Sequence, residues 1–536
     1  MLNRNTHHSL FSFQTKICIA VFLLLLLKAA AVWQEDRSNE QQIQLLQEEQ
    51  NSKSSQEEQT SDARAAQTAA AHEKASAHSE NSILIQHHYE TEPTLWVLIT
   101  DSGQNQRHEA LRLTGRDEIT VKSAAGTRQI AAGEKLDLTE YFSKNKITVC
   151  SVEAKSRGLC LLSVKKGGKT PVYPGILHIW RDGTKGSFYV VNEVLAESYL
   201  PGVVSSEMPV TFGLEALKAQ AVCARSYAAS ALEKQKKQKK LSTGDTVGWN
   251  LVDTTDDQVY MSGSVDADAI TACKETRGQI LRQENALLKP HYYSTSWGKQ
   301  ADGAVFQNSG SDYQKASVLP ALSSTQIRKM NQAFAADYQA LEQEEMQKTV
   351  RSEQETQKTV CGEQKTQKTV RSEQKSGNSL EMVYDRKSPW FRWSCELSFS
   401  DISSKEIEDL IVVRRGKGGY ASALQISYAD GSIERVNGAS AIRKRLGRKN
   451  LCYRLWDGST RKGLTILPSA FFYLDVKALD SSKTGEKSNT IRIFGGGFGH
   501  GFGMSQYGAA NMAEKQYKYT EILSYYYKSA RISEYY

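Results

Sequence analysis

A glycine-rich segment near the C-terminus constrains this chain more than any other feature. Seven glycines stand among the fourteen residues 495–508, which read Gly-Gly-Gly-Phe-Gly-His-Gly-Phe-Gly-Met-Ser-Gln-Tyr-Gly. Each glycine costs backbone entropy on folding and adds no side chain to a core, so this run suits neither a strand nor a helix. Because side chains are absent, another group can approach the main chain closely. The segment therefore predicts a loop at a binding site.

Two common ligands of glycine-rich loops fit this loop poorly. A phosphate-binding loop would continue with Gly-Lys-Ser/Thr, or would lie in a strand–turn–helix unit with an acidic residue about twenty positions further on, and neither pattern is present. His500 lies in the loop, but the nearest other histidine in the sequence is His291. We therefore expect His500 to form hydrogen bonds, and we expect neither a nucleotide nor a metal here.

A second strong feature is an amphipathic helix predicted at residues 213–233. Apolar residues recur there at the three-and-four spacing of a helix: Leu214, Leu217, Ala221, Ala224, Ala228 and Leu232. Gln220 and Arg225 fall on the two borders of this apolar stripe, where they would line the floor of a groove. Another helix is predicted at residues 508–515.

Glu207 precedes the first helix. Pro209 disfavours a helical conformation at Met208, so we expect Glu207 on a non-helical segment that leads into the helix. Active-site residues are often presented in this way. An isolated glutamate near a helix start usually only interacts with the helix dipole, however, so the local pattern leaves catalytic and structural roles open.

The N-terminus resembles an export signal. An apolar run at residues 17–27 follows Arg4 and Lys16, and Lys28 and a small-residue stretch come after it. Residues 1–33 predict a signal peptide or, if Lys28 extends to the membrane surface, an uncleaved anchor. Both place the rest of the chain in the cell envelope, in the periplasm or on the outer face of the cytoplasmic membrane. Residues 34–90, rich in Gln, Glu, Ala and Ser, predict a disordered stalk.

The remaining sequence predicts an α+β fold. Short β-rich runs at residues 95–100, 118–121 and 147–151 indicate a small β-rich accessory region over residues 91–170. Residues 171–536 would then form the main domain. A ten-residue repeat beginning Gln-Lys-Thr-Val offers one valine per unit for burial, so we interpret residues 340–380 approximately as a surface insertion.

Charge and cysteine content bound the partners and the cross-links. The chain carries a net charge of +8, but residues 1–33 hold +3 and residues 34–80 hold −6, which leaves +11 for the rest. Such an excess favours anionic partners, whether nucleic acid, lipid headgroups or a carboxylate-bearing polymer. Eight cysteines occur without Cys-x-x-Cys pairs. The six outside the apolar run and the repeat either form up to three disulfides or serve as small buried hydrophobes.

Two blocks of this sequence resemble the SpoIID/LytB family, named for stage II sporulation protein D and the amidase enhancer. The first is residues 199–209, Tyr-Leu-Pro-Gly-Val-Val-Ser-Ser-Glu-Met-Pro, with 214–227. The second is residues 497–509, Gly-Phe-Gly-His-Gly-Phe-Gly-Met-Ser-Gln-Tyr-Gly-Ala. Weaker supporting blocks lie at residues 257–260, 293–298 and 388–393. The resemblance covers about residues 173–532, interrupted by the insertion.

The resemblance implies a lytic transglycosylase that acts on peptidoglycan glycan strands already stripped of their peptides, with Glu207 as its single acid/base. Glycoside hydrolysis ordinarily needs two carboxylates. In a lytic reaction the 6-hydroxyl of the N-acetylmuramic acid (MurNAc) attacks its own C1, so the MurNAc–GlcNAc bond breaks and a 1,6-anhydroMurNAc end forms. One glutamate then acts first as acid and later as base, if a partly apolar environment raises its pKa. Met208, Val203 and Val204 are candidates for that environment.

The same resemblance implies a set of substrate-binding residues, with neutral donors and acceptors for sugar hydroxyl and N-acetyl groups. They are Gln220, Arg225, Gln258, Tyr260, Ser294, Ser296, Trp297, His500, Ser505, Gln506 and Tyr507. Arg225 would meet the lactyl carboxylate that peptide removal exposes. Trp297 and Trp390 would either stack on sugar rings or belong to the core.

The sequence departs from the family in two places. Some relatives carry a Cys/His metal cluster near the Gln-x-Tyr segment, whereas residues 252–258 here contain neither Cys nor His, so we expect no zinc and no cofactor. The glycine pair after the Ser-rich segment is replaced by Trp297-Gly298.

Three hypotheses of different classes follow. The first is the glycan-cleaving enzyme. The second is a non-catalytic amidase enhancer that binds peptidoglycan or an N-acetylmuramoyl-L-alanine amidase through the same fold. The third is a basic nucleic-acid binder, which the predicted export argues against. Glu207 favours the enzyme, because a binding module needs no lone acid in its groove.

Overall fold

The computed structural model describes residues 91–156, 158–166, 168–183, 186–234, 236–261, 265–301, 325, 329, 384–416, 418–475 and 490–536. The predicted signal or anchor, the stalk and the repeat insertion lie outside the described residues. The described residues contain helices and several sheets, so the predicted α+β class is confirmed.

The first half of the described chain contains sixteen strands. They are β1 Thr94–Ile99, β2 Arg112–Gly115, β3 Ile119–Ser123, β4 Gly126–Ile130, β5 Leu136–Asp137, β6 Val149–Ala154, β7 Leu159–Leu161, β8 Val172–Tyr173, β9 Ile176–Asp182, β10 Ser187–Leu195, β11 Lys237–Lys240, β12 Thr246–Trp249, β13 Leu251–Val252, β14 Gln279–Gln283, β15 Ala286–Leu287 and β16 Tyr292–Tyr293.

The strands of the second half form smaller sheets, and the last two of them pair with strands of the first half. They are β17 Trp393–Ser398, β18 Ile407–Arg415, β19 Ala421–Tyr428, β20 Ile433–Asn437, β21 Tyr453–Leu455, β22 Thr460–Arg461, β23 Phe472–Leu474, β24 Thr490–Gly495, β25 Met504–Ser505 and β26 Ala530–Glu534. The helices are α1 Leu138–Asn145, α2 Ala196–Glu207, α3 Leu214–Leu232, α4 Ala267–Glu275, α5 Phe399–Ile402, α6 Ala439–Leu446, α7 Gln506–Glu514 and α8 Tyr519–Tyr526. Two short 3₁₀ helices are Val210–Phe212 and Pro389–Phe391.

The largest sheet has the order β13-β1-β10-β9-β6-β3-β4 and is antiparallel except for the β1–β13 pair. Its alternating sequence explains its two buried faces: in β1, Leu95 and Val97 enter the main core, while Leu98 belongs to a second cluster on the other face. The strands predicted before residue 150 are present. Because β6 pairs with β9, this sheet crosses the boundary that we predicted at residue 170.

The helix predicted at residues 213–233 is observed as α3, but it is buried on nearly all sides, and its first residues, Leu214 and Glu215, border a cleft. It packs against α2, α4, α7 and β14. The preceding helix α2 was not predicted, because Pro201 and Gly202 at its centre usually interrupt helices. As a result Glu207 ends a helix, and our expectation of a non-helical segment there was wrong.

A second hydrophobic core lies between β17, β18, β19, β24 and α6, and includes Trp393, Leu424 and Ile442. The chain passes from β24 of this core into the glycine-rich segment and then into β25, which pairs in parallel with β16 of the first half. The glycine-rich segment therefore connects the two cores. Within the described part of the chain, no helix has both the length and the apolar character of a membrane span.

Candidate active site

Glu207 occupies the C-terminal end of α2. The chain turns sharply after it, because Met208 adopts an extended conformation with φ −132° and ψ 127°. The expected effect of Pro209 on Met208 is thus observed, one residue beyond the helix. The partial negative charge at a helix C-terminus disfavours a carboxylate and favours the neutral acid.

The surroundings of Glu207 raise its pKa. Burial raises the pKa from 4.5 to about 7, against the lowering effect of the Val259 backbone N–H and the Gln506 side chain. The Val259 N–H donates a hydrogen bond of 2.7 Å to Oε1. Val203, Val204 and Met208 are all buried beside this end of the helix. A glutamate with a pKa near neutrality can both donate and accept a proton at physiological pH.

The loop that carries Val259 is fixed to α2 by its neighbours. The hydroxyl of Ser206 accepts a hydrogen bond of 3.0 Å from the Met261 N–H, and the hydroxyl of Ser205 accepts one of 3.1 Å from the Asp266 N–H. The hydroxyls of the sequence Ser-Ser-Glu therefore bind the loop that in turn binds the glutamate.

Asp257 anchors the other end of the same loop. Its carboxylate accepts hydrogen bonds from the Val252 N–H at 3.0 Å, from the Tyr227 hydroxyl at 3.2 Å and from Lys237 Nζ at 2.9 Å. These three contacts come from three different elements. They hold the backbone so that Val259, two residues later, faces Glu207.

Gln258 and Tyr260, which flank Val259, point into the core and not into a groove. The Gln258 amide donates to the Tyr292 hydroxyl at 2.9 Å and accepts from the Tyr199 hydroxyl at 3.3 Å. The Tyr260 hydroxyl donates to the side-chain carbonyl oxygen of Asn192. Both residues are fully buried. The prediction that they contact substrate is corrected: they support the loop from behind.

Arg225 and Gln220 are also buried, which contradicts their predicted place on a groove floor. Arg225 is 1% exposed and donates from Nε and Nη2 to the two carboxylate oxygens of Glu197, at 2.7 and 3.0 Å. It donates further to the carbonyl oxygens of Cys273 and Gln279. With its donors used inside the fold, Arg225 cannot meet a substrate carboxylate.

The glycines of residues 495–508 allow the close approach that the sequence predicts, but the approaching groups belong to the protein itself. Gly503 has φ +85°, and a Cβ there would lie 1.8 Å from the carbonyl oxygen of His291. Gly501 has φ +83°, and its Cβ would meet the Tyr420 ring at 2.3 Å. These positions require glycine so that the loop can pack against His291, just before β16, and against Tyr420, just before β19.

His500 is a neutral hydrogen-bonding residue in this loop. Its Nδ1 accepts a hydrogen bond of 3.1 Å from the Phe502 N–H. Burial, with nearby His291 and Arg443, lowers the pKa of His500 to about 3. The imidazole rings of His500 and His291 lie 5.8 Å apart, edge to face.

Asp385, which the sequence analysis missed, joins the supporting blocks. It is buried and accepts hydrogen bonds from the Thr295 hydroxyl at 3.1 Å, from the N–H and hydroxyl of Ser296 at 2.8 and 2.7 Å, and from the Ser505 hydroxyl. Burial raises the pKa of Asp385. The only signal in the sequence was its position three residues before the block that begins at Ser388.

The Asp385 contacts place the N-terminus of α7 beside Glu207. Ser505 is the N-cap of α7, since its hydroxyl accepts from the Gly508 N–H at 3.1 Å. Gln506 follows directly and is 7% exposed. Ser296 and Ser505 are therefore positioning residues, and their predicted contact with substrate is corrected.

Tyr507 and Ser294 are half-buried at the surface, next to the start of α7. The Tyr507 N–H donates to the Ser294 carbonyl oxygen at 3.0 Å, and its ring packs on Phe212 with centroids 4.8 Å apart. Both rings line a cleft of about 540 Å³ together with residues of α3 and α7 and Lys387. The lining of this cleft includes neither Glu207 nor Gln506, but Tyr507 follows Gln506 directly in the chain, and the cleft has room for sugar units.

Trp297 and Trp390 are both half-buried. Trp297 stacks on Phe471 at 3.9 Å and donates from its indole nitrogen to the Gly418 carbonyl oxygen at 2.9 Å. Trp390 packs at the edge of the second core, 4.9 Å from Phe498. One face of Trp297 is thus occupied by the protein, and stacking on sugar would use the opposite face.

Two further predictions concern metal and cysteine chemistry. In the ranges that the structure describes, no group of three or more His, Cys, Asp or Glu residues is arranged to hold a metal ion. All six cysteines of these ranges are free thiols: Cys150, Cys160, Cys223, Cys273, Cys395 and Cys452. Four of them are buried, as small hydrophobic residues are.

Comparison with known proteins gives one family and several relatives. Residues 184–282 match the model of the family described as stage II sporulation protein, SpoIID. The amidase enhancer of Bacillus subtilis (strain 168) is 27% identical over 339 residues, which are 63% of this chain and 40% of that protein. Stage II sporulation protein D of the same organism is 24% identical over 412 residues, 73% of this chain and 89% of that protein. Its namesake in Bacillus amyloliquefaciens is 25% identical over 361 residues, 65% of this chain and 77% of that protein.

The chain therefore spans less than half of the amidase enhancer but most of stage II sporulation protein D. The family match contains Glu207, the loop that binds it and all of α3, and it ends before the glycine-rich segment.

Proposed function

We propose that this chain, which matches the SpoIID family model over residues 184–282, is a peptidoglycan lytic transglycosylase with Glu207 as its acid and base. A role connected with peptidoglycan, without a specified reaction, follows from the family and from the name of the amidase enhancer. The specific activity is supported by the Glu207 pKa of about 7, to which no carboxylate of the described residues contributes.

The cause of the pKa shift supports a one-carboxylate mechanism. A partner carboxylate at about 5 Å, as in retaining glycosidases, would raise the Glu207 pKa by charge repulsion. Among the described residues, burial alone raises it, and no charged side chain contributes. A lytic reaction needs only one carboxyl group, because the attacking oxygen belongs to the substrate.

The steps balance with Glu207 alone. Neutral Glu207 gives its proton to the glycosidic oxygen while the bond between MurNAc C1 and that oxygen breaks, which leaves the N-acetylglucosamine (GlcNAc) unit with a 4-hydroxyl. The resulting carboxylate then takes the proton of the MurNAc 6-hydroxyl as that oxygen bonds to C1. Glu207 is neutral again, no water is consumed, and one strand end carries 1,6-anhydroMurNAc.

The test compares three forms of the full-length protein: wild type, Glu207→Gln, and Glu408→Gln as a matched control in which an exposed carboxylate of β18 becomes an amide. Each is incubated with peptide-stripped strands and with peptide-bearing strands, and the products are identified by mass spectrometry. We expect anhydro ends from the wild type and from Glu408→Gln on stripped strands. Products that incorporate ¹⁸O from labelled water, or undiminished cleavage by Glu207→Gln, would refute the proposal.

The second candidate is a non-catalytic enhancer of a peptidoglycan amidase. It is favoured by the name of the amidase enhancer, to which 63% of this chain aligns. The same experiment separates the two, because an enhancer would bind strands without cleaving them. It would also raise the rate of an added N-acetylmuramoyl-L-alanine amidase equally with and without the Glu207→Gln change.

A further inference from the structure

A strongly basic surface lies on the hairpin that follows α3. Residues 233–240 contain five lysines and one glutamate. The strand β11, Lys237–Lys240, is exposed along its whole length and pairs only with β12 among the described strands. The function proposed above makes no use of this surface, although peptide-stripped glycan is itself a polyanion.

Lys289 extends this surface toward the interior. Its ammonium lies over the Tyr227 ring, 4.3 Å from the centroid, and its side chain is half-buried. Among the described residues, no carboxylate lies within ion-pair distance of it. Burial, with nearby Lys234 and Lys237, lowers the pKa of Lys289, against the raising effect of the Asp257 charge. A half-buried ammonium without a carboxylate partner is costly, and a bound anion would offset that cost.

The basic surface is connected to Glu207 through Asp257. Lys237 and the Tyr227 hydroxyl both bind the Asp257 carboxylate, and Lys289 lies over the ring of the same tyrosine. Asp257 stands two residues before Val259, which binds Glu207. Asp257 is satisfied by its partners, and Glu233 and Asp256 on this surface are exposed. Asp245 lies in the turn of the same hairpin, and Glu193 interacts with Lys236.

We propose that Lys289, assisted by Lys234 and the lysines of β11, binds the lactyl carboxylate of a muramic acid unit next to the cleavage site. This inference rests on the proposed function and supplies the role that buried Arg225 does not fill. It also gives a physical basis for selecting stripped strands. When a peptide is attached, the lactyl group is an amide without charge, so it offers the ammonium no counter-ion.

The test measures binding and therefore does not depend on cleavage. In the full-length Glu207→Gln background, dissociation constants are measured for stripped strands with free carboxylates and for the same strands with these carboxylates converted to methylamides. We expect Lys289→Met to weaken binding of the free-carboxylate strands about tenfold, as for loss of one charge-assisted hydrogen bond, and to leave the methylamide strands unchanged. Lys289→Arg should retain most of the affinity.

Two controls keep the outcome clear. Lys122→Met removes an exposed lysine of β3 and should change neither affinity, and equal melting temperatures would show that each variant is folded. Inorganic polyphosphate serves as a competitor. An equal loss on both strands, no loss on either, or a Lys289 effect seen only with polyphosphate would overturn the proposal. The absence of anhydro ends in the cleavage assay would refute the proposed function alone.

Discussion

The Val259 N–H donates a 2.7 Å hydrogen bond to Oε1 of Glu207. In the neutral acid, this bond reserves Oε1 as the acceptor oxygen, so the proton resides on Oε2. In the proposed reaction, the loop thus determines which oxygen of the carboxyl group delivers the proton. It does so through main chain, which explains why a side chain at position 259 carries no recognisable signal.

The first prediction concerns the dependence of the cleavage rate on pH. Glu207 must be protonated to begin the reaction, and its pKa is about 7. The rate on stripped strands should therefore be nearly constant below this pKa and fall about tenfold per pH unit above it. Initial rates of anhydro-end formation between pH 5 and 9 measure this fall, which is the alkaline limb of the rate profile. Glu408→Gln should show the same limb, and a rate that still rises at pH 9 would rule out Glu207 as the acid.

The second prediction concerns stability. The folded-state pKa of about 7 lies above the ordinary value of 4.5, so the native state holds the proton more tightly than the unfolded state does. This contribution is fully present below pH 4.5 and is lost as pH rises through 7. Glutamine does not titrate. Glu207→Gln should therefore be more stable than wild type at pH 8, by roughly 2 to 3 kcal/mol, with little difference at pH 4.5.

Denaturant unfolding at the two pH values measures this difference, with Glu408→Gln as the exposed control. A gain that is the same at both pH values would show that the amide stabilises the fold for a reason unrelated to the proton.

Local sequence patterns predicted the helices and strands that have a regular spacing of apolar residues. They failed for residues whose position depends on contacts with residues far away in the sequence. The spacing of apolar residues gave α3, and alternation gave β1. The same spacing placed Arg225 at a groove border, whereas the structure turns it inward because Glu197, 28 positions earlier, neutralises it inside the core. No local pattern records such a pair.

The residues of the candidate site show the same difference between local patterns and distant contacts. Glu207 was predicted through a motif, which contains its helix and its serines. Asp385 was not identified, because its partners Thr295, Ser296 and Ser505 lie about 90 and 120 positions away. Helix α2 was missed for a different reason. Pro201 removes one backbone donor, but burial of Tyr199, Val203 and Val204 on that helix outweighs the loss.

The third prediction concerns the Arg225–Glu197 pair. Removing one partner leaves an uncompensated buried charge, so Glu197→Gln should lower the free energy of unfolding by about 3 to 5 kcal/mol. The double variant Glu197→Gln/Arg225→Met should lose less than the sum of the two single variants, because no charge then remains unpaired. Denaturant unfolding of the four proteins measures this coupling. Additive losses would mean that the pair does not act as a unit.

The fourth prediction concerns Asp385 as a positioning residue. In Asp385→Asn the Oδ1 atom can still accept from Thr295, the Ser296 N–H and Ser505, but the amide that replaces Oδ2 cannot accept from the Ser296 hydroxyl. The side chain must therefore shift, and the stability should fall by about 1 to 3 kcal/mol. The N-cap of α7 then shifts, and Gln506 moves away from Glu207. Because the Gln506 side chain lowers the pKa of Glu207, its displacement should raise that pKa. The alkaline limb of the rate profile should therefore move to higher pH, while kcat falls.

A matched control separates positioning from simple destabilisation. Asp401→Asn changes an exposed carboxylate of α5 and should alter neither the stability nor the limb. Ser505→Ala removes the N-cap hydroxyl directly, so it should move the limb in the same direction as Asp385→Asn does. If Asp385→Asn lowers the melting temperature but leaves the alkaline limb in place, then Asp385 only stabilises the fold and does not set the position of Gln506 beside the Glu207 carboxyl group.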